Sequence, residues 1–136
     1  MSGASFVLRP HEVVGSPHGH IDKLWTSVEG PVAEAYISVI RKGAVSAWKR
    51  HLSMASRIKV IRGKVGFVFP GKQGRFDSIV LEEQSAQILE IFEGQWFGFK
   101  GLEENNSILN LASILHDPKE IDRQPIEFFR YDWREM

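Results

Sequence analysis

Short runs of alternating hydrophobic and polar residues, separated by turn residues, dominate this chain. Residues 76–81 show the alternation, and residues 32–40 mix small and β-branched side chains with Tyr36, which suits a long strand. Residues 44–51 are predicted to form the next strand. Clusters of glycine and proline, such as residues 70–74, lie between the runs. Nine or ten short strands at this spacing, with almost no helical periodicity, predict an all-β sandwich or barrel.

The other predicted strands include a pair that we expect to form a hairpin about Gly63 and Lys64, because a glycine turn separates two apolar runs. One helical turn is predicted, with Asp117 as its cap and Pro118 at its first position. The remaining strands are predicted at residues 6–8, 21–28, 58–62, 65–69, 86–92, 95–100 and 107–115.

The glycine- and proline-rich segment 15–20 is predicted to be a turn. It contains the His-x-His pair His18 and His20, which invites a metal interpretation. We favour a solvated loop, because such a segment holds ligands loosely and no carboxylate follows at the spacing that a metal site of the cupin type requires.

Length, charge and cysteine content narrow the classes of function. The 136 residues fit one domain, residues 1–136. Lys+Arg and Asp+Glu are both 17, so no net charge directs the protein towards nucleic acid or an anionic membrane. The absence of cysteine excludes disulfides, thiolate metal sites and a cysteine nucleophile. With no recognisable signal peptide or membrane-spanning run, we expect a cytoplasmic protein.

His51 is the strongest candidate for chemistry. It follows Lys49 at strand spacing, so the two side chains are expected to share one face, while Trp48 and Arg50 share the other. Nearby cations favour a neutral imidazole, which suits a general base, and they also suit the binding of phosphate groups. The alternative is an exposed basic strand with an incidental histidine.

The stretch 43–69 has the spacing of the first cupin motif but has lost most of its metal ligands. His51 stands at the second histidine position, whereas Lys49 and Ser56 replace the first histidine and the acidic residue. Phe97 stands at the histidine position of the second motif. A lone imidazole does not hold a transition metal usefully, so we expect no metal and no cofactor.

Over residues 43–123 the chain resembles the dTDP-4-dehydrorhamnose 3,5-epimerase family and its epimerase-like relatives, a metal-free branch of the cupins. His51 stands where that family has its catalytic histidine. Residues 92–99 follow the family's Pro-x-Gly-x-x-His-Gly-Phe motif and retain its glycines and final phenylalanine. Residues 118–120, Pro-Lys-Glu, resemble its Pro-x-x-Glu turn, with one residue fewer between the proline and the glutamate.

The resemblance implies a cupin-type jelly-roll β-barrel and a nucleotide-sugar epimerase or isomerase. Such an isomerase would act on a dTDP-4-keto-6-deoxy sugar in deoxysugar or polysaccharide biosynthesis. In that family a histidine removes a proton beside the keto group and a tyrosine returns one to the opposite face. Asn110 stands at the tyrosine position and cannot donate that proton, so Tyr36 and His116 are the candidate acids.

These implications give a set of expected site residues. Lys49 or Lys59 is expected to stabilise the enolate oxygen. The expected catalytic residues are His51, Lys59 and Tyr36, and the expected binding residues for the nucleotide-linked sugar are Trp48, Lys49, Arg57, Arg75, Asn110 and His116.

Two further matters stay open at the level of sequence. The loss of the acid tyrosine favours an alternative function, a degenerate cupin that binds a carbohydrate or nucleotide sugar without turning it over. The aromatic tail at residues 123–133 is expected to dock either on its own barrel or on a partner subunit, which makes a homodimer plausible.

Overall fold

The computed structural model describes residues 6–25 and 30–136 of the chain. Strands form almost all of the regular structure in these two stretches, with a few short 3-10 turns. The strands are β1 Phe6–Pro10, β2 Glu12–Ser16, β3 Gly19–Lys23, β4 Glu34–Arg41, β5 Val45–His51, β6 Ser56–Arg62, β7 Lys64–Pro70, β8 Phe76–Glu82, β9 Gln87–Ile91, β10 Phe97–Gly101, β11 Asn105–Ala112 and β12 Ile121–Arg123.

The strands form two five-stranded antiparallel sheets that face each other, and β2 and β3 form a separate hairpin. The first sheet has the order β1-β9-β6-β11-β4 and the second the order β12-β5-β10-β7-β8. Successive strands from β4 onward cross repeatedly between the sheets, as in a jelly roll, so the predicted all-β cupin-type fold is confirmed. A bridge between Lys42 and Gly101 links the sheets at one corner, but in the described stretches they do not close into a continuous barrel.

The core lies between the two sheets, and strand alternation decides which side chains enter it. On β6, Ile58 and Val60 point inward and are almost fully buried, and so are Phe67 and Phe69 on β7. Each such side chain contributes about 1.5–3 kcal/mol through burial. The residues between them along β6 must point to the outer face of the first sheet.

The predicted hairpin about Gly63 is wrong. The strand Ser56–Arg62 pairs with β9 and β11 in the first sheet, whereas Lys64–Pro70 pairs with β8 and β10 in the second. The chain therefore turns a corner between sheets instead of folding back on itself. Gly63 has a φ of 73°, and a Cβ there would overlap the carbonyl oxygen of Asn105 and the side-chain oxygen of Asn106.

Most of the other predicted strands and turns are confirmed, with bounds shifted by a few residues. The segment 15–20 contains the turn between β2 and β3. The strand predicted at 21–28 ends at Lys23, and residues 26–29 lie outside the described residues. Asp117 caps the predicted turn, since its carboxylate accepts the backbone N–H of Lys119 at 3.0 Å. Strands β2 and β12 were not predicted from the sequence.

The aromatic tail docks on the outer face of the second sheet of the same chain, one of the two predicted arrangements. Trp133 packs against Trp48 with ring centroids 5.4 Å apart, and Phe129 meets Trp48 edge-on at 5.3 Å. The indole N–H of Trp48 donates to the carbonyl of Ile126 at 3.0 Å. Among the described residues, no helix is long and apolar enough to cross a membrane.

The corner at Gly63 leads to a stability prediction. We expect Gly63→Ala to destabilise the protein at least twice as much as Gly74→Ala, measured as the free energy of unfolding in urea. Both glycines have φ near +70°, but a Cβ at position 74 meets nothing within 4 Å. The control should therefore lose only the backbone strain of about 1 kcal/mol. Equal losses would show that overlap with Asn105 and Asn106 does not matter.

Candidate functional site

The candidate site lies at one end of the two facing sheets, which we call the mouth. Here β4 begins at Glu34, β5 ends at His51, β6 begins at Ser56 and β10 begins at Phe97. The strand registers place these ends together, since Ser56 pairs with Ala112, which in turn pairs with Glu34. Ladder pairing therefore brings together residues that are far apart in the chain.

A hydrogen bond between His51 and Glu120 is the central contact of the mouth. The Nδ1 atom of His51 lies 2.6 Å from Oε2 of Glu120, and the two residues are only 5% and 6% exposed. Because a carboxylate only accepts, Nδ1–H donates and the lone pair of the neutral ring is at Nε2. The other Glu120 oxygen accepts the backbone N–H groups of Ser53 and Met54 at 3.2 and 3.0 Å.

The surroundings favour a neutral imidazole beside a charged carboxylate. Burial lowers the pKa of His51, and the charges of Lys49 and Arg123 lower it further, although the hydrogen bond to Glu120 opposes them. Burial acts to raise the pKa of Glu120, but hydrogen bonds from His51, Ser53 and Met54 outweigh it and leave that pKa lowered. At neutral pH the ring can therefore accept a proton at Nε2.

Lys49 and Phe97 line the same face of the second sheet as His51. The Nζ atom of Lys49 lies 5.6 Å from the ring centroid of Phe97, and the His51 ring lies 6.2 Å from it. Burial, and then the charge of Arg123, lowers the pKa of Lys49. The predicted pairing of Lys49 and His51 on one face is confirmed. Within the described residues, no group of three or more histidine or acidic side chains is arranged to hold a metal ion.

Tyr36 and Asn110 belong to the first sheet and lie directly opposite each other in register. The amide nitrogen of Asn110 donates to Ser38 Oγ at 3.1 Å and lies 3.4 Å from the Tyr36 carbonyl. Burial raises the pKa of the Tyr36 phenol, and the charges of Glu34 and Glu120 raise it further. Tyr36 is therefore a protonated phenol within the electrostatic reach of the His51–Glu120 pair.

Two predicted site residues, Arg57 and Lys59, lie away from the mouth, on the outer face of the first sheet. Arg57 pairs with Glu90 at 3.0 Å, and its guanidinium lies 3.8 Å from the ring centroid of Trp25. The ammonium of Lys59 donates to the carbonyl of Ser85. Both residues alternate with the inward-facing residues of β6. Within one chain they therefore lie too far from His51 for the expected binding role of Arg57 and catalytic role of Lys59.

The remaining predicted residues have mixed positions. Trp48 lies on the outer face of the second sheet beneath the aromatic tail, away from His51. Arg75 is exposed in the turn after β7, at the mouth end of that strand. His116 is exposed in the segment after β11, and its backbone N–H donates to Glu34 at 2.9 Å.

Sequence reasoning missed two residues that the structure brings to the mouth, Glu120 and Arg123. Strand β12 pairs with β5 so that Ile121 lies opposite His51 and Arg123 lies opposite Lys49. The turn Pro118-Lys119-Glu120, which resembles a family motif, was visible in the sequence as a signal for Glu120. Its partner lies 69 residues earlier, however, and nothing local indicates that pairing.

No family profile matches this chain. A probable low-salt glycan biosynthesis epimerase from Haloferax volcanii is 26% identical over 133 residues, covering 89% of this chain and 85% of that protein.

Several solved structures share the fold. A dTDP sugar isomerase from Desulfovibrio desulfuricans has a TM-score of 0.84 at 22% identity, and the alignment covers 96% of this chain and 92% of the isomerase. A mutant sugar 3,4-ketoisomerase from Thermoanaerobacterium thermosaccharolyticum, in complex with TDP-4-keto-6-deoxyglucose, has a TM-score of 0.79 at 17% identity and covers 90% of both chains. A dTDP-6-deoxy-D-glucose-3,5-epimerase from Legionella pneumophila has a TM-score of 0.78 at 13% identity, covering 90% of this chain and 74% of its own. The resemblance to the dTDP-sugar epimerases and isomerases is confirmed, and their fold is shared.

The geometry of the His51–Glu120 pair predicts a titration that NMR can measure. We expect the ring of His51 to be the Nδ1–H tautomer, with a pKa below the ordinary value of about 6.5. Glu120→Gln should lower this pKa further, because the hydrogen bond and negative charge of Glu120 both raise it. Asp122→Asn is the matched control, since Asp122 pairs with Arg50 instead. A His51 pKa that rises in Glu120→Gln would contradict the proposed electrostatics.

Proposed function

We propose that this protein is a nucleotide-sugar isomerase or epimerase that removes a proton beside the keto group of a dTDP-4-keto-6-deoxy sugar, without a metal. The observation that carries the proposal is the buried His51–Glu120 pair, which orients a neutral imidazole with Nε2 available as base. The solved isomerase and epimerase structures described above support the substrate class, and the ketoisomerase holds such a sugar.

The chemistry follows from the charges around His51. A proton on the carbon next to a carbonyl is acidic enough for imidazole only when the enolate oxygen is stabilised. As Nε2 takes the proton, the ring becomes an imidazolium, and the charged Glu120 at 2.6 Å stabilises it. Lys49 lies on the same face and offers the positive charge that the enolate oxygen needs. Lys59 does not fit this role, because its ammonium donates to the carbonyl of Ser85 on the outer face of the first sheet.

The fate of the proton decides between two products. In the first case His51 delivers the abstracted proton to the former keto carbon. The hydroxyl on the carbon that lost the proton then becomes the new keto group as its own proton moves to the former keto oxygen. The keto group shifts by one position, and one base suffices. If a second group protonates the opposite face, the centre is inverted. Asn110 cannot supply that proton, whereas Tyr36 is a protonated phenol at the mouth.

A binding protein without turnover is the second candidate function. Asn110 favours it, since its amide is committed to Ser38 and offers no exchangeable proton of suitable acidity. Such a protein would bind the nucleotide sugar with the same cations but would leave the proton beside the keto group in place.

We also propose that the protein is a homodimer. The outer face of β4 exposes Ile37 and Val39, which are 58% and 76% exposed. Adjacent exposed β-branched side chains on an edge strand favour association. Sedimentation at several concentrations tests this, and Val39→Lys should shift any dimer towards monomer.

Proton abstraction is tested by incubating the protein with dTDP-4-keto-6-deoxyglucose in heavy water. We expect deuterium to appear at a carbon next to the keto group, as seen by NMR, because Nε2 of His51 exchanges its proton with solvent. His51→Asn should lose the exchange, by at least about a hundredfold for a general base. His18→Ala, in the exposed turn between β2 and β3, is the control and should exchange at the normal rate.

The same experiment separates the candidate functions. Saturable binding of the nucleotide sugar without deuterium uptake would favour the binding protein over the isomerase. Neither binding nor uptake would reject the substrate class. Full exchange in His51→Asn would reject His51 as the base.

Tyr36→Phe tests how the proton is returned. If Tyr36 is the acid of an epimerisation, we expect this variant to keep deuterium exchange at the carbon beside the keto group while losing the inverted sugar. If the keto group shifts instead, the variant should still form the shifted ketone. The carbon shifts in the product NMR spectrum distinguish the two sugars directly.

A further inference from the structure

We propose that a cavity on the outer face of the first sheet is a second binding site, and that it takes a sugar acid, a hydroxylated ring with one carboxylate. This outer cavity lies between the β2–β3 hairpin, the middle of β6 and the turn between β8 and β9. Its volume is about 620 Å³, and small-molecule sites commonly have about 300–1,000 Å³. Its polar lining includes His11, His20, Asp22, Lys59, Glu83 and Ser85. The site is separate from the mouth and does not depend on the proposed reaction.

Lys59 is a buried cation without a counter-ion. The residue is only 4% exposed, and its ammonium donates to the carbonyl of Ser85. It forms no ion pair within residues 6–25 and 30–136, although a buried charge is normally paired. Arg57, two residues earlier on the same face, has such a partner in Glu90 at 3.0 Å.

The electrostatics of Lys59 favour an added anion. Burial lowers the pKa of Lys59, and the charge of Asp22 opposes this shift without coming close enough for an ion pair. A carboxylate beside Nζ would stabilise the charged form. It would also accept one of the ammonium hydrogens that the single bond to Ser85 leaves over.

His11 gives the outer cavity an acceptor. Its Nδ1 lies 3.2 Å from the carbonyl oxygen of Glu12, and because a carbonyl only accepts, Nδ1 carries the hydrogen. In the neutral ring Nε2 is then an acceptor, and this buried atom has no hydrogen-bond partner in the part of the chain that the structure describes. An unpaired buried polar atom is unfavourable. A rotation of the ring towards the cavity would let Nε2 accept from a ligand hydroxyl.

The rim of the outer cavity is acidic and exposed, in contrast to the buried Lys59. Asp22 and Glu83 are exposed carboxylates, and Nε2 of His20, from the His-x-His pair of the sequence, lies 3.5 Å from Asp22. Carboxylates accept hydrogen bonds from hydroxyl groups, but they repel a ligand with two negative charges. The rim therefore disfavours a phosphate. A cation at depth and acceptors around it suit a ring with several hydroxyls and one carboxylate.

Calorimetric titration of the whole chain tests the site, with D-glucuronate, D-glucose, acetate and inorganic phosphate as probes. Glucuronate has both required groups, whereas glucose lacks the carboxylate and acetate lacks the hydroxyls. We expect glucuronate to bind at least about tenfold more tightly than glucose or acetate, because each of these loses the contacts at one end of the cavity. Phosphate should not displace glucuronate.

Variants locate the binding. Lys59→Met should lower the affinity for glucuronate to that for glucose, because the charge that binds the carboxylate is gone. Lys49→Met is the matched control, since Lys49 is the lysine beside His51 at the mouth; its affinity for glucuronate should not change. His11→Phe keeps a ring but removes the acceptor, and should weaken glucuronate binding at least about threefold. Circular dichroism checks folding, and Lys59→Gln replaces Lys59→Met if that variant does not fold.

Several outcomes would overturn the inference. Equal affinities of the normal protein for glucuronate and glucose would reject a sugar acid as the ligand, and so would displacement by phosphate. Unchanged glucuronate affinity in a folded Lys59→Met protein would reject the outer cavity as the site. A loss in Lys49→Met instead would place glucuronate at the mouth. No binding of any probe would show that the cavity holds only solvent. None of these outcomes bears on the deuterium exchange that tests His51.

Discussion

The hydrogen bond between His51 and Glu120 is the contact on which the candidate site depends. It joins the end of β5 to the turn before β12, and the same carboxylate also binds the backbone after β5 through Ser53 and Met54. One buried carboxylate therefore holds the ring, selects its tautomer and ties together two segments that are remote in sequence. The base proposed at Nε2 is an oriented group because these three contacts are satisfied together.

Strand alternation sorts the basic residues of the chain into two groups with different surroundings. Lys49 faces the mouth beside His51, and Arg123 shares that face through its register with Lys49. Arg57 and Lys59 lie on β6 in the other sheet and point outward, where Glu90 and the carbonyl of Ser85 bind them. The outward cations have polar partners within the chain, whereas Lys49 and Arg123 form no ion pair with the residues that the structure describes.

The fold alone does not decide the reaction. Solved isomerases and epimerases share this architecture at identities of 13–22%, so the architecture is compatible with different outcomes for the proton. The outcome depends on which group faces His51 across the mouth. Here Asn110 is held by Ser38, while Tyr36 remains a protonated phenol. In the proposed reaction, the proton would therefore be returned by Tyr36 or by His51 acting alone.

Local patterns in the sequence determined most of the strands, the capped turn at Asp117 and the shared face of Lys49 and His51, because alternation and turn chemistry act over a few residues. The resemblance added His51 as the base and the jelly roll. Only the tertiary structure showed that Gly63 turns between sheets and that Arg57 and Lys59 face outward. It also paired Glu120 with His51 and Arg123 with Lys49. These features depend on which strands become neighbours, and such pairing is set by long-range packing that no local stretch of sequence encodes.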